Sequence, residues 1–484
     1  MAEKKEKSFS SQMKSGLVYT AMAKYSGIVV SLLISSVLAR LLPPAAFGVI
    51  AIATVFIVFF SIFSDMGLSS AIIQKRNLTK EDYTNLFSLT VYSGLILGGL
   101  FFLCSWLISR FYKDPQLIGI CQMLSLNIVF ATWNIVPNGL LLRDKEFKFI
   151  GIRTISIQIV LGIISIIAAY CGAGVYALLI NPILGSFLIF LLNYYKQPVS
   201  FSLSPQFSSL KKVASYSVYT FGFSLINYFT RNLDKLLVGR VFGLAPLGYY
   251  EKSYRLMMLP VQNLASVITP VLHPVLADYQ NDLKSQIDKY LKLMKMLALI
   301  GMPVSAFLYF SADQLVLIIF GNQWLPSVPV FKILSLSVGL QIVGSTAGAL
   351  YQAINRTKAM FILGVSNTII NVAGLLIGVY VLKSIEGVAW MWVATLYIGL
   401  WNNIVLAKCA GISVMKTFEP YLPSIIPTAI VAILAYSVSL FGIGNMLVSL
   451  LLNVLILMVV LASSCQYYNI FNIKGYILKR FKHG

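Results

Sequence analysis

Arg231, Asp234, Lys235, Glu251, Lys252 and Arg255 fall in two otherwise largely apolar segments of this chain, on either side of a turn. Arginine and lysine in apolar surroundings do anion chemistry, and the planar guanidinium matches a phosphate through two parallel hydrogen bonds. The two segments carrying them read as a hairpin of membrane helices. On insertion scales an Arg, Lys or Asp at a helix centre costs roughly 2.5–3.5 kcal/mol, so these groups should face a cavity or one another rather than lipid.

Spacing sorts the cluster. Asn227, Arg231 and Lys235 recur every four residues and share a helix face, with Asp234 adjoining, while Glu251 and Arg255 stack likewise beside Lys252. Asp234 and Glu251 lie at similar depth from the hairpin turn. One reading is structural: Asp234 pairs with Lys252 or Arg255, and Lys235 with Glu251, stapling the hairpin. The other is functional, since four cations meet two acids and the surplus centres on Arg231, the deepest of them. A surplus of that sign suits an anionic headgroup.

A smaller constellation precedes it. Lys24 and Asp65 sit at equal depth from the inner ends of the first two spans, placed to pair as a structural lock or as an inner gate. Tyr19 and Tyr219 offer hydroxyls to sugars or serve ordinary helix packing. With two histidines and five scattered cysteines lacking any CxxC spacing, the chain has little material for a metal centre or a catalytic triad. No catalytic or metal-ligating residue is expected.

The elements that must hold these residues are membrane helices. The 484 residues are 58% hydrophobic and 11% charged, with a mean hydropathy of +0.83, which makes the chain an all-α polytopic membrane protein. The polar opening MAEKKEKSFSSQM and the long apolar run after it do not form a cleavable signal peptide. Apolar stretches give fourteen spans, near 15–41, 45–73, 85–111, 117–142, 152–170, 174–195, 213–241, 246–276, 289–312, 326–353, 359–381, 385–407, 418–440 and 445–466.

Lys and Arg set the orientation. Of 37, 26 fall on one side if the N-terminus is cytoplasmic, among them Lys75, Arg143, Arg153, Lys211 and Lys408, and five on the other: Arg40, Arg110, Lys113, Arg240 and Lys383. Both termini are therefore expected inside. The net charge of +21 is dealt out in small groups to alternate loops, so it signals topology and not a nucleic-acid partner. The tail KGYILKRFKHG suits anionic lipid headgroups. Lys332, near an outer helix end, is expected to snorkel.

Shifting the chain by 200 residues aligns SGLVYT at Ser15 with SYSVYT at Ser215, Arg40 with Arg240, Ala45 with Ala245 and Gly48 with Gly248. The repeat is parallel, because spans 1 and 7 both start inside. It predicts two pseudo-symmetric six-helix lobes, 1–195 and 213–412, a cytoplasmic linker at 196–212 long enough to let them rock, two extra helices at 413–466 and a basic tail at 467–484. Ligands of such proteins bind between the lobes.

The stretches LARLLPPAAFGVIAIATVFIVFFSIFSDMGLSSAIIQ (Leu38 to Gln74) and RNLDKLLVGRVFGLAPLGYYEKSYRLMMLPVQN (Arg231 to Asn263) resemble the Wzx/WzxC-type polysaccharide flippases of the multidrug/oligosaccharidyl-lipid/polysaccharide exporter superfamily. The resemblance runs over nearly the whole chain. It implies a transporter of the bacterial inner membrane that moves an oligosaccharide on undecaprenyl pyrophosphate from the cytoplasmic to the periplasmic leaflet by alternating access. Arg231, Lys235, Lys252 and Arg255 map onto the cavity-lining hairpin, and Lys24 and Asp65 onto the matching helices of the first lobe. No cofactor is implied beyond a coupling proton or sodium ion, for which Asp65, Asp234 and Glu251 are the intramembrane acids. Polysaccharide polymerase machinery is an expected partner.

Two rivals are weaker. A multidrug or cation exporter of the same architecture needs acids and aromatics around its cargo, against an intramembrane inventory dominated by bases. A glycan polymerase or ligase needs a large catalytic outer loop, and the longest one, Ala312 to Leu325, has one acid and no histidine. Sugar recognition is expected from dispersed amides such as Asn227, Gln262, Asn263, Asn367 and Asn371.

Overall fold

Backbone amides left unpaired in hydrocarbon are costly, so a chain this apolar must close its hydrogen bonds inside helices. The computed structural model does so, with no strand among the residues it describes: 24–65, 67–75, 77–206, 208, 225, 228–277, 279, 282–441 and 445–468. Eleven helices are long and apolar enough to cross a membrane, and a bent pair makes a twelfth. Helices 228–242 and Leu244–Ala277, which carry the charged cluster, fall outside that set. The chain divides into two compact units, Met1–Gly248 and Tyr249–Gly484.

The first unit holds α1 (Lys24–Leu41), α2 (Pro44–Asp65), α3 (Leu68–Gln74), α4 (Lys80–Tyr112), α5 (Gln116–Trp133), α6 (Ile135–Arg143), α7 (Phe147–Tyr170), α8 (Ile180–Lys196), α9 (228–242) and the first turn of α10 (Leu244–Ala277). One expected span is interrupted. The 45–73 stretch stops at Asp65, because Gly67 turns left-handed at φ 78°. The Asp65 carboxylate then accepts hydrogen bonds from the Ser69 amide (3.2 Å) and hydroxyl (2.6 Å), satisfying the exposed start of α3. The 117–142 stretch runs as one span, Gln116–Arg143, with a local irregularity at Asn134 between α5 and α6.

Helix α4 starts earlier than its apolar run. The Thr79 hydroxyl caps the Asp82 amide and the Asp82 carboxylate returns to the Thr79 amide, a reciprocal box that anchors a 33-residue helix. One face of α4 is exposed and apolar, with Ile96, Leu103 and Leu107 each more than half accessible, as a lipid-facing surface should be.

Residues 197–206 are strapped down rather than loose. Val199 joins the core formed by Leu68, Ile72, Leu86 and Val136. Further along, the Ser202 amide donates to Ser88 Oγ (2.8 Å), the Tyr92 hydroxyl to the Leu203 carbonyl (2.9 Å) and the Gln206 amide to Asn85 Oδ1 (3.2 Å), while Phe201 packs on the Tyr92 ring. Asn85, Ser88 and Tyr92 follow the helical repeat of α4, so one face of that helix holds the strap.

Arg153, a cytoplasmic-side cation by the positive-inside count, is buried within α7 at 7% exposure. Its guanidinium donates to Asn193 Oδ1, and Asn193 Nδ2 donates in turn to Asn134 Oδ1 at 2.7 Å. A buried charge needs hydrogen-bond partners, and here Asn193 accepts from the guanidinium, held in place by Asn134, while Thr154 Oγ1 accepts at 3.4 Å.

The second unit continues α10 and adds α11 (Leu283–Phe310), α12 (Ala312–Phe320), α13 (Ser327–Ser335), α14 (Val338–Gly344), α15 (Ala347–Ala353), α16 (Thr357–Leu376), α17 (Ile385–Ile398), α18 (Asn402–Ala410), α19 (Val414–Phe418), α20 (Leu422–Leu440) and α21 (Met446–Tyr467). Asp282 caps α11 through the Ser285 amide (3.0 Å) and hydroxyl (2.6 Å), and those bonds hold its carboxyl below the usual value. Gly301 and Gly339 let α11 and α14 approach until a Cβ on Gly301 would lie 3.1 Å from the Gly339 Cα. Lys332 does not simply snorkel: its ammonium pairs with Asp313 at 2.6 Å. The expected span 326–353 is broken, with α13 and the α14–α15 stretch meeting at 46°.

Candidate functional site

The repeat assigns α9 to the second half of the chain, yet α9 packs inside the first unit. Aromatic side chains fix its inner part: the Phe59 ring lies 5.3 Å from that of Tyr228 and 6.3 Å from that of Phe229. Further out, the Tyr112 hydroxyl donates to the Leu236 carbonyl at 3.2 Å. A Cβ on Gly239 would come within 2.9 Å of Leu247, so only hydrogen fits there without movement.

At the turn, Gly243 adopts φ 93°, which frees the chain to enter α10 at once. Beside it the repeat becomes a physical contact. A Cβ on Gly48 would lie 1.9 Å from the Leu244 carbonyl oxygen, and a Cβ on Gly248 would lie 2.2 Å from that of Pro44. Positions 44 and 244, like 48 and 248, are equivalent under the 200-residue shift, so the contact is reciprocal.

This framework positions the cations on α9. Arg231 is exposed and makes no hydrogen bond or ion pair among the described residues. Lys235 is half-buried, and its backbone amide donates to Asp234 Oδ1 at 2.8 Å. Asp234 is itself buried, at 4% exposure. Under the repeat, Ser31, Ile34 and Ser35 stand where Arg231, Asp234 and Lys235 stand, so these charges belong to one half of the repeat only.

The other three charges lie in the second unit and are described there. Arg255 is exposed and Glu251 partly so. Lys252 is 3% exposed, with its ammonium 5.1 Å from the centre of the Phe320 ring and 5.8 Å from that of Trp324. Ring faces attract a cation, so this aromatic seat is one source of its stability indoors. Trp324 is held edge-on by Tyr249, and Ser253, next along α10, donates to the Ser327 carbonyl at 2.9 Å. Lys252 thus points into packed side chains, unlike Arg231 and Arg255.

In the first constellation, the Asp65 carboxylate is bonded to Ser69, and Lys24 is not among its partners. Asp65 therefore serves as a helix cap here. Tyr19, Tyr219 and Asn227 lie outside the described residues. Among the described residues, no group of three or more His, Cys, Asp or Glu could hold a metal ion.

A family model described as polysaccharide biosynthesis protein matches residues 37–329. The lipopolysaccharide biosynthesis protein WzxC of Escherichia coli (strain K12) is 27% identical over 375 residues, covering 75% of this chain and 74% of that one. The teichuronic acid biosynthesis protein TuaB of Bacillus subtilis (strain 168) is 25% identical over 394 residues, 79% of this chain and 80% of its own. In fold, the chain is similar to the lipid II flippase MurJ in an inward closed conformation, with TM-score 0.73, 15% identity, and coverage of 93% of this chain and 98% of that one. An inward-facing multidrug resistance MATE transporter follows at TM-score 0.60 and 17% identity, covering 80% of this chain and 96% of that one.

Proposed function

We propose, from the premise that this chain belongs to the polysaccharide biosynthesis protein family, that it carries an undecaprenyl-pyrophosphate-linked oligosaccharide from the cytoplasmic to the periplasmic leaflet by alternating access. The observation that carries this reading is Arg231: an exposed guanidinium on a helix that also carries Asp234 and Lys235, bonded to no carboxylate among the described residues. A doubly charged pyrophosphate is the natural counter-ion for such a group. On α9 Lys235 would assist; on α10 the candidate cations are Arg255, which is exposed, and Lys252, which is seated on Phe320 and Trp324.

The cycle follows from differential affinity. Cargo docks on the cationic face in the inward-open state with its lipid tail left in the bilayer, and the docked charge relieves repulsion that opposes closure. The reciprocal Gly48 and Gly248 contact supports a parallel repeat whose halves are related by an axis along the membrane normal. Fourteen spans with both termini cytoplasmic complete the picture, with proton or sodium coupling through Asp234 or Glu251 and delivery to a polymerase. Depleting the protein and analysing lipid-linked intermediates by mass spectrometry tests the reading. Accumulation of one undecaprenyl-linked glycan supports it; an unchanged lipid profile with altered drug tolerance would favour an exporter of the same fold.

A further inference from the structure

The second unit contains a cavity of about 350 Å³, walled by α11, α14, α15, α16, α17 and α18. Its lining includes Asn367, Asn371, Asn402, Asn403, Tyr351 and Thr395, and no charged residue. Asn367 and Asn371 stand one helical turn apart, at a depth of ~15–21 Å from the start of α16 at ~1.5 Å per residue. Both are half-buried.

Three features mark this cavity as built to hold something. First, two of its walls carry local irregular turns within longer helical stretches. Helix α14 stops at Gly344 and α15 resumes at Ala347, while a single tight turn, Gly399–Trp401, separates α17 from α18. Irregular backbone at membrane depth is tolerated where it lines a cavity or is buried in protein, and broken helices recur at transporter binding sites. Second, glycine leaves the space open, for a Cβ on Gly344 or Gly364 would meet nothing within 4 Å. Third, the lining is under-satisfied: Tyr351 Oη and Asn402 Oδ1 are buried with no hydrogen-bond partner among the described residues. Each leaves a desolvated polar atom that a polar occupant could satisfy.

The lining also selects the class of occupant. An anion would want Arg or Lys and a metal ion would want carboxylates, and the wall has neither. Four amides offer donors and acceptors side by side, the pattern that matches hydroxyl groups, which also do both. Tyr290 and Tyr421 add apolar ring surface. The volume lies at the lower end of small-molecule sites, fitting a short stretch of glycan.

We infer that this cavity binds neutral sugar residues of the lipid-linked cargo and discriminates among repeat units, an inference that rests on the flippase reading above. The test compares two probes on the full-length protein in lipid nanodiscs: undecaprenyl pyrophosphate alone, and the glycan-bearing undecaprenyl pyrophosphate extracted from cells depleted of this protein. Wild type should bind the glycan-bearing lipid about tenfold or more tighter, the worth of roughly one or two neutral hydrogen bonds. Gly364→Leu, which fills the cavity, and Asn371→Ala should bring that ratio close to one while leaving the affinity for bare undecaprenyl pyrophosphate unchanged. Tyr351→Phe, which keeps the ring, guards against misfolding and should reduce the ratio several-fold.

An unchanged ratio in all three variants would overturn the inference while leaving the flippase reading intact. Equal weakening of both probes would also overturn it, since that marks a structural role. So would binding of sodium that Asn371→Ala abolishes without altering the ratio. If wild type binds neither probe, the flippase reading fails, and this inference fails with it.

Discussion

Gly48 and Gly248 each press against a backbone carbonyl contributed by the other's segment, Gly48 against Leu244 and Gly248 against Pro44. The two glycines are 200 residues apart and equivalent in the repeat, so one contact is described twice. Added methyl groups would sit 1.9 and 2.2 Å from oxygen, which no side-chain rotation can relieve because the obstacle is backbone. Gly48→Ala and Gly248→Ala should each destabilise the protein by about 1–3 kcal/mol through overpacking. The double variant should cost less than the sum, because parting the segments for one methyl makes room for the second. Thermal unfolding of the three variants in detergent checks this, and strict additivity would show that the contacts are independent.

Arg153 and Asn193 form a second testable pair. Asn193→Leu would leave the buried guanidinium without its amide acceptor and should cost about 3 kcal/mol, the penalty of an unsatisfied buried charge. Adding Arg153→Met removes the charge itself, so the double variant should be more stable than Asn193→Leu alone. Denaturation midpoints decide, and equal losses in both variants would mean that the amide does not serve the arginine.

The strap along α4 makes a kinetic prediction. Asn85→Ala and Tyr92→Phe each delete one of the bonds holding residues 202–206. Loss of one neutral hydrogen bond should raise the open fraction of the strap about threefold to tenfold. Chymotrypsin cleavage at Phe201 and Leu203 under native conditions reads that fraction. No acceleration in either variant would show that apolar packing of Val199 holds the segment alone.

These particulars show where sequence reasoning reaches and where it stops. Hydropathy, positive charge on alternate loops and the 200-residue repeat identify an all-helical membrane protein and single out Gly48, Gly248 and the charged hairpin. Local breaks are harder to see. Gly67 interrupts a run that stays apolar on both sides, so hydropathy alone joins α2 to α3. Arg153, near the inner end of the span 152–170, counts on the cytoplasmic side by its charge, whereas Asn134 and Asn193, amides at odds with the apolar segments around them, are the clue to its burial.

Partners across long sequence distances are invisible to periodicity. The bonds from Ser69 to Asp65 and from Ser202 to Ser88 have no sequence signal, and the serines and prolines of 196–212 read as linker composition. Lys252 differs from Arg255 only through Phe320 and Trp324, some seventy residues away in the chain. The cavity of the second unit draws its lining from Tyr290 to Tyr421, and of its amides only Asn367 and Asn371 stand out in sequence.

The central claim is that Arg231 receives the phosphate of a lipid-linked glycan during transfer between leaflets. Wild-type protein and the Arg231→Ala and Arg231→Lys variants, reconstituted into liposomes with undecaprenyl-pyrophosphate-linked glycan in the inner leaflet, allow a direct measurement: the rate at which the glycan becomes accessible to an external lectin. Wild type should transfer, Arg231→Ala should fall to the rate of protein-free liposomes at equal incorporation, and Arg231→Lys should recover part of the activity, because it restores charge but not bidentate geometry. Transfer by Arg231→Ala at the wild-type rate would contradict the account.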